Sequence, residues 1–256
     1  MPYATSGNIH IYYEVHGVDG PALVFAHGAG GNATSWWQQV PAFVSDYRVV
    51  VFDHRGFARS ICPVDAQNPR FFEGDLMAFM DATGINKATV VCQSMGGWTG
   101  MRAAVYHSER VQAVFLANTP GAVRTQATRY NMKTLQARNQ RLGFANVAIS
   151  RIFTDQNPAG ALLYNQISAY NTQARPNMQD DASYVTPDDV KASGVRFQVL
   201  ASDLDPVFPP ALLKSVAKDI DATYVCIGDA GHSTYFEKPD VFNAALYAFL
   251  ASIGLG

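Results

Sequence analysis

Ser94 stands where a nucleophile has a physical reason to stand. It follows the apolar run Val90-Val91-Cys92 and precedes Met95-Gly96-Gly97, where a helical pattern begins at once. A strand that turns sharply into a helix strains the backbone at its tip and leaves no room for large side chains on either side. Gly96 meets that demand on the far side. The tip hydroxyl is then held clear of a sheet at the positive end of a helix dipole, ready for attack on an acyl carbon. The same serine can also serve as a plain helix N-cap. A second segment, Leu23-Val24-Phe25-Ala26-His27-Gly28-Ala29-Gly30-Gly31, is a strand running into a Gly-rich loop. Glycines let backbone N–H groups converge on one point, which suits an anion, although a simple turn has the same letters. His232 lies in Gly228-Asp229-Ala230-Gly231-His232-Ser233, on a loop able to swing over a sheet edge. His10, His16, His54 and His107 have no such loop. Two carboxylates, Asp203 and Asp205, end the apolar run that starts near Val199.

Together these segments resemble the α/β-hydrolase fold family of serine hydrolases. The family's nucleophile elbow is Gly-x-Ser-x-Gly, and here Cys92 stands where the first Gly usually is. The resemblance implies a Ser94–Asp205–His232 catalytic triad, in the family's chain order. Asp205 with Pro209 fits the family's Asp-x-x-x-Pro pattern, and Asp203 does not. Some members carry the acid one strand earlier, but Ala117-Asn118-Thr119-Pro120 offers no carboxylate. The same match makes the Ala29 and Met95 amides the oxyanion hole. The segment Phe52-Asp53-His54-Arg55-Gly56-Phe57-Ala58-Arg59-Ser60 resembles the family's Asp-x-Arg-Gly-x-Gly-x-Ser, with Ala58 in place of a Gly. There Asp53 and Arg55 read as pins for a loop, and His54 as a loop residue.

The elements needed to position these groups are legible as alternation. Strands are expected at 9–15, 22–26, 48–52, 88–92, 111–117, 196–201 and 223–227. Near-continuous apolar runs such as Val49–Phe52 and Val114–Ala117 suit strands covered on both faces. Helices are expected at 35–44, 71–83 (ended by Gly84), 95–107, 211–219 and 239–251. Strand alternating with helix implies a mostly parallel central sheet flanked by helices. Residues 121–190 show no clear strand, and a structureless loop of that length is improbable. They read as an inserted helical cap on a core formed by 1–120 and 191–256.

The composition permits a large apolar core: 48% of the 256 residues are hydrophobic and 16% charged. A net charge of −2 gives no electrostatic case for nucleic acid or an anionic membrane. No run reaches the roughly 20 apolar residues of a membrane span. The N-terminal residues lack the pattern of a secretory signal. The three cysteines, Cys62, Cys92 and Cys226, form neither a disulfide framework nor a zinc spacing. Cys92 and Cys226 read as small buried hydrophobes, and a cytoplasmic setting follows. No metal and no cofactor are expected. The partner is expected to be a small-molecule substrate, with the chain a monomer or homodimer. The reading is a hydrolase of a carboxylic ester or lactone acting through an acyl-enzyme. Alternatives within the same fold are a carbon–carbon bond hydrolase acting on a diketo acid and a cofactor-free haloperoxidase or perhydrolase. A ligand receptor that has lost catalysis is the non-enzyme alternative. Trp37, Phe208 and Tyr235 are expected to line an apolar substrate pocket. Between residues 121 and 160 stand Arg124, Arg129, Lys133, Arg138, Arg141 and Arg151 against one acid, Asp155. If some, such as Arg124, face the site, a substrate carboxylate is expected; a solvated helix face is the alternative.

Overall fold

A computed structural model describes residues 2–17, 19–142, 145–173 and 175–256. Among the described residues eight strands form one sheet: β1 (Tyr3–Ser6), β2 (Ile9–His16), β3 (Ala22–Ala26), β4 (Arg48–Phe52), β5 (Ala88–Gln93), β6 (Val111–Ala117), β7 (Arg196–Ser202) and β8 (Thr223–Ile227). Their order is β1-β2-β4-β3-β5-β6-β7-β8. The pairings β1/β2 and β2/β4 are antiparallel, and every other pairing is parallel. One strand lies outside the expected set. β1 is only four residues long and joins β2 through Gly7, whose φ is +62°.

The buried strands alternate between two cores with the period of two that a pleated strand imposes. Val24, Val50, Phe52, Val90, Cys92, Val114 and Leu116 face one side. Leu23, Phe25, Val49, Val51, Val91, Phe115 and Ala117 face the other. Helices cover both sides, which is why the central strands β3 to β6 are mostly apolar. The first side is covered by α2 (Phe72–Thr83), α3 (Gly96–Tyr106) and α9 (Pro210–Asp219); the second by α1 (Gln39–Phe43) and α11 (Pro239–Ser252). A short α10 (Thr234–Glu237) precedes α11. Helix α2 ends at Gly84 in the left-handed conformation (φ +68°), as a C-terminal glycine cap permits.

The helix expected over 35–44 is broken. Residues Ala33–Trp36 form a 3₁₀ turn, and α1 starts only at Gln39. Pro41 explains the break, because it has no N–H to donate to the Trp37 carbonyl four residues back. Between β6 and β7 the described residues form α4 (Gln126–Leu142), α5 (Ala145–Ala148), α6 (Arg151–Gln156), α7 (Pro158–Ala169) and α8 (Pro187–Ala192). Cys226 is exposed rather than buried, because β8 is an edge strand. Among the described residues no helix is long and apolar enough to cross a membrane.

Candidate active site

The site lies at the carboxyl ends of the parallel strands. β5 runs into Ser94, whose φ of +49° is in the left-handed region that non-glycine residues avoid. Such a backbone costs on the order of 1–3 kcal/mol and persists only where its surroundings enforce it. Here the Ser94 N–H donates to the Ala117 carbonyl of β6 (3.1 Å), and the next turn begins α3. A side chain at Gly96 would lie 2.1 Å from the Ala26 carbonyl oxygen, so the elbow accepts only glycine there. Cys92, which stands where the family has Gly, is accommodated by α3. The missing side chain of Gly100 leaves the space that the Cys92 Sγ fills, since a Cβ there would meet Sγ at 2.4 Å.

Folding brings Ser94, His232 and Asp205 into one line. Ser94 Oγ is 2.9 Å from His232 Nε2. His232 Nδ1 lies 3.1 and 3.0 Å from the two carboxylate oxygens of Asp205. All three side chains are buried. The carboxylate fixes the proton on Nδ1 and leaves Nε2 as an acceptor for the serine proton. Asp203, the other candidate, is exposed; its carboxylate accepts the Ala230 N–H at 3.4 Å and is not on the His232 ring.

Asp205 is itself held on every side. The Val207 and Phe208 N–H groups donate to one oxygen (2.7 and 3.1 Å), and Asn118 Nδ2 donates to the other (3.1 Å). Asn118 accepts in turn from the Thr234 hydroxyl (2.8 Å), two residues beyond His232. Its own φ is +51°, which turns its amide toward Asp205. Gln93 Nε2 donates to the His232 carbonyl (3.0 Å), tying the elbow to the imidazole loop. Neither Asn118 nor Gln93 was singled out from the sequence for a role. The signal available was their place at the ends of β6 and β5, beside the site.

The Gly-rich loop after β3 closes the other side. A Cβ at Gly28 would fall 3.0 Å from the Ser94 Cβ, so only glycine lets this loop approach the serine. Among the described residues neither the Ala29 nor the Met95 amide has a hydrogen-bond acceptor, and both residues line the same cavity as Ser94. Two open N–H groups beside a nucleophile are what an oxyanion hole requires. His27 shapes this loop. Its Nδ1–H donates to the Gly28 carbonyl (2.8 Å), and its Nε2 accepts the His54 N–H (3.0 Å). Burial pushes its pKa down to about 4. Asp53 ties the loops together, accepting from the Ala33 N–H (2.7 Å), the Arg59 N–H (3.0 Å) and the Arg59 guanidinium (2.7 Å). Arg55 pairs with the buried Asp75 (2.7 Å).

A cavity of about 490 Å³ opens above Ser94. Its floor is Ala29, Met95, Trp98, Val207 and Phe208, and its far wall comes from α4 and from residues 175–179. Phe208, expected at the pocket, is there, with its ring centroid 5.7 Å from that of His232. Three expectations fail. Trp37 is 48% exposed and packs edge-on to Phe236, outside the cavity, because the chain turns outward after Trp36. Tyr235 is buried in the core with its ring 4.7 Å from that of Trp36; its bulk is spent on packing. Arg124 is paired with Asp181 (2.6 Å), lies over the Tyr184 ring, and borders a separate hollow with Arg129 and Lys133. Trp98, Met132 and Leu135 form the apolar lining instead. Among the described residues no three His, Cys, Asp or Glu side chains are grouped to hold a metal ion.

Comparison with known proteins places this architecture. The model of the α/β hydrolase fold family matches residues 21–196. The chain belongs to the α/β-hydrolase fold family. 3-Oxoadipate enol-lactonase 2 of Acinetobacter baylyi is 28% identical to this hydrolase over 258 residues, covering 96% of this chain and 95% of that one. Other curated relatives, at 34–36% identity, match over only 38–45% of their own length. Among solved structures, Est816, described as an N-acyl homoserine lactone degrading enzyme, superposes with a TM-score of 0.80 at 24% identity, covering 97% of this chain and 100% of that one. The enol-lactonase of Burkholderia xenovorans LB400 gives 0.79 at 23%, covering 98% and 100%. At that identity the two structures speak for the fold.

Proposed function

We propose that this hydrolase cleaves a carboxylic ester or lactone of a small organic molecule through an acyl-enzyme on Ser94. One observation carries the proposal: the Ser94 hydroxyl lies 2.9 Å from an imidazole whose other nitrogen is held by a buried carboxylate. His232 Nε2 takes the proton as Ser94 Oγ attacks the acyl carbon. Asp205 keeps the imidazole in the tautomer that can accept and stabilises the imidazolium that forms. The Ala29 and Met95 amides receive the oxyanion; one such donor contributes about 2.7–4 kcal/mol to the transition state. His232 then returns the proton to the leaving oxygen and activates a water that releases the acyl group. Trp98, Met132, Leu135, Val207 and Phe208 offer an apolar wall to the substrate's carbon chain. The matched enol-lactonase supports a lactone or ester as the bond cleaved. A cytoplasmic setting rests on the cysteine usage, and the chain acts as a monomer or homodimer.

Turnover of an aryl ester by Ser94→Ala tests the mechanism. The kcat falls by roughly 10⁵–10⁶-fold if the three residues act as one unit. A fall of less than about tenfold in folded protein removes Ser94 from the chemistry.

A further inference from the structure

The cavity above Ser94 is lined by apolar side chains and by amides. Gln136, Gln140, Asn177 and Gln179 stand on the far wall. Among the described residues that line it, Arg175 is the charged one, and no carboxylate joins it. None of the six cap bases between residues 121 and 160 borders this cavity. Arg124, Arg129 and Lys133 line a separate hollow, and Arg151 pairs with Asp155 on the surface.

Arg175 is exposed at the cavity, although the protein packed around it removes part of its water. Burial lowers its pKa from the usual arginine value, while the nearby Tyr164 hydroxyl acts the other way. The guanidinium stays charged and can attract an anion in the cavity. A guanidinium carries five N–H donors in a fixed fork, so it can keep a protein contact and still present two to a carboxylate. The four amide side chains supply further donors and carry no competing negative charge. The oxyanion amides, the guanidinium and the apolar side chains of Trp98, Met132 and Leu135 all line one cavity. A substrate spanning it would have its scissile carbonyl at Ser94, a short carbon chain on the apolar surface and an anion beside Arg175.

Resting on the serine-hydrolase reading, we propose that Arg175 selects substrates bearing a carboxylate distal to the bond cleaved: esters or lactones derived from dicarboxylic acids.

The test pairs two p-nitrophenyl esters of similar size, the neutral butyrate and the anionic monoglutarate. Wild type is expected to favour the glutarate ester in kcat/KM. Arg175→Gln is expected to reduce that preference tenfold or more, chiefly through the KM of the glutarate ester, with a smaller effect on butyrate. Arg175→Lys is expected to recover part of it. Calorimetry with free glutarate reads the same contact without turnover, with affinity falling tenfold or more in Arg175→Gln. Equal loss on both esters, or glutarate bound alike by wild type and variant, overturns the proposal. Loss of glutarate binding in Arg175→Gln, with neither ester turned over by wild type, supports the anion site and instead removes the serine-hydrolase reading.

Discussion

His27 shows how a single residue links stability to the site. Its ring bridges the Gly28 carbonyl and the His54 N–H, and the bond from His54 needs the ring neutral, with Nε2 free to accept. Burial is the main cause of its pKa of about 4; the Gly28 carbonyl and Asp53 oppose the shift and Arg59 adds to it. His54, buried beside it, is lowered in the same direction. An unfolded histidine titrates near 6.5. Between that value and about 4 the unfolded chain binds a proton that the folded chain refuses, so stability is present above pH 6.5 and is lost as the pH falls. The loss from His27 is on the order of 1–3 kcal/mol. Urea midpoints measured from pH 7 down to pH 4.5 are expected to fall, and His27→Gln, although less stable at pH 7, is expected to show the smaller fall. A variant with an unchanged slope would separate His27 from the acid sensitivity. Because His27 shapes the loop that carries the Ala29 amide, activity is expected to decline along with stability.

At the scale of elements, the packing of β5 against α3 decides whether the elbow forms. Cys92 occupies a place where the family has glycine, and Gly100 on α3 gives up its side chain to make the room. The thiol is fully buried and its pKa is pushed well up by burial, so its role is to fill space. Gly100→Ala forces a methyl group into the sulfur and is expected to cost about 1–3 kcal/mol by overpacking. Cys92→Ala/Gly100→Ala is expected to be more stable than Gly100→Ala alone, and thermal unfolding of the four proteins in a double-mutant cycle measures the coupling. A coupling near zero would mean that the two positions do not share one space. This compensation was not legible in the sequence, since nothing in Cys92 or Gly100 alone announces the contact. The strands themselves were legible, because burial on both faces leaves continuous apolar runs, and β1 escaped because four residues, Tyr3–Ser6, carry too little pattern. The helix expected over 35–44 failed at Pro41, a residue whose missing N–H was visible in the sequence.

Across the whole molecule, the helical segment between β6 and β7 is bonded into the site. Asn32 beside the Gly-rich loop donates to the Ile167 carbonyl of α7 (2.9 Å), Asn171 donates to the Gly31 carbonyl (3.1 Å), and the Ser233 hydroxyl donates to Tyr164 (3.2 Å). α7 is therefore tied to both loops that carry the chemistry. This is why the substrate-side expectations fared worst. Ser94 and His232 are marked by local turns, and Asp205 by its spacing from Pro209. The cavity wall is set by contacts between residues far apart in the chain, which no local pattern records. Trp37 and Tyr235 looked suitable by type and by nearness in sequence, and the chain path sent one to the surface and the other to the core. Arg175 lay outside the cluster of bases that drew notice.

The central claim is that this fold delivers one activated serine. The direct measurement is the intact mass of the wild-type protein after reaction with a fluorophosphonate, with the labelled peptide located by fragmentation. The account predicts a single adduct per chain, on Ser94, strongly slowed in His232→Ala. No adduct under conditions that label a known serine hydrolase, or an adduct on another residue, would contradict it.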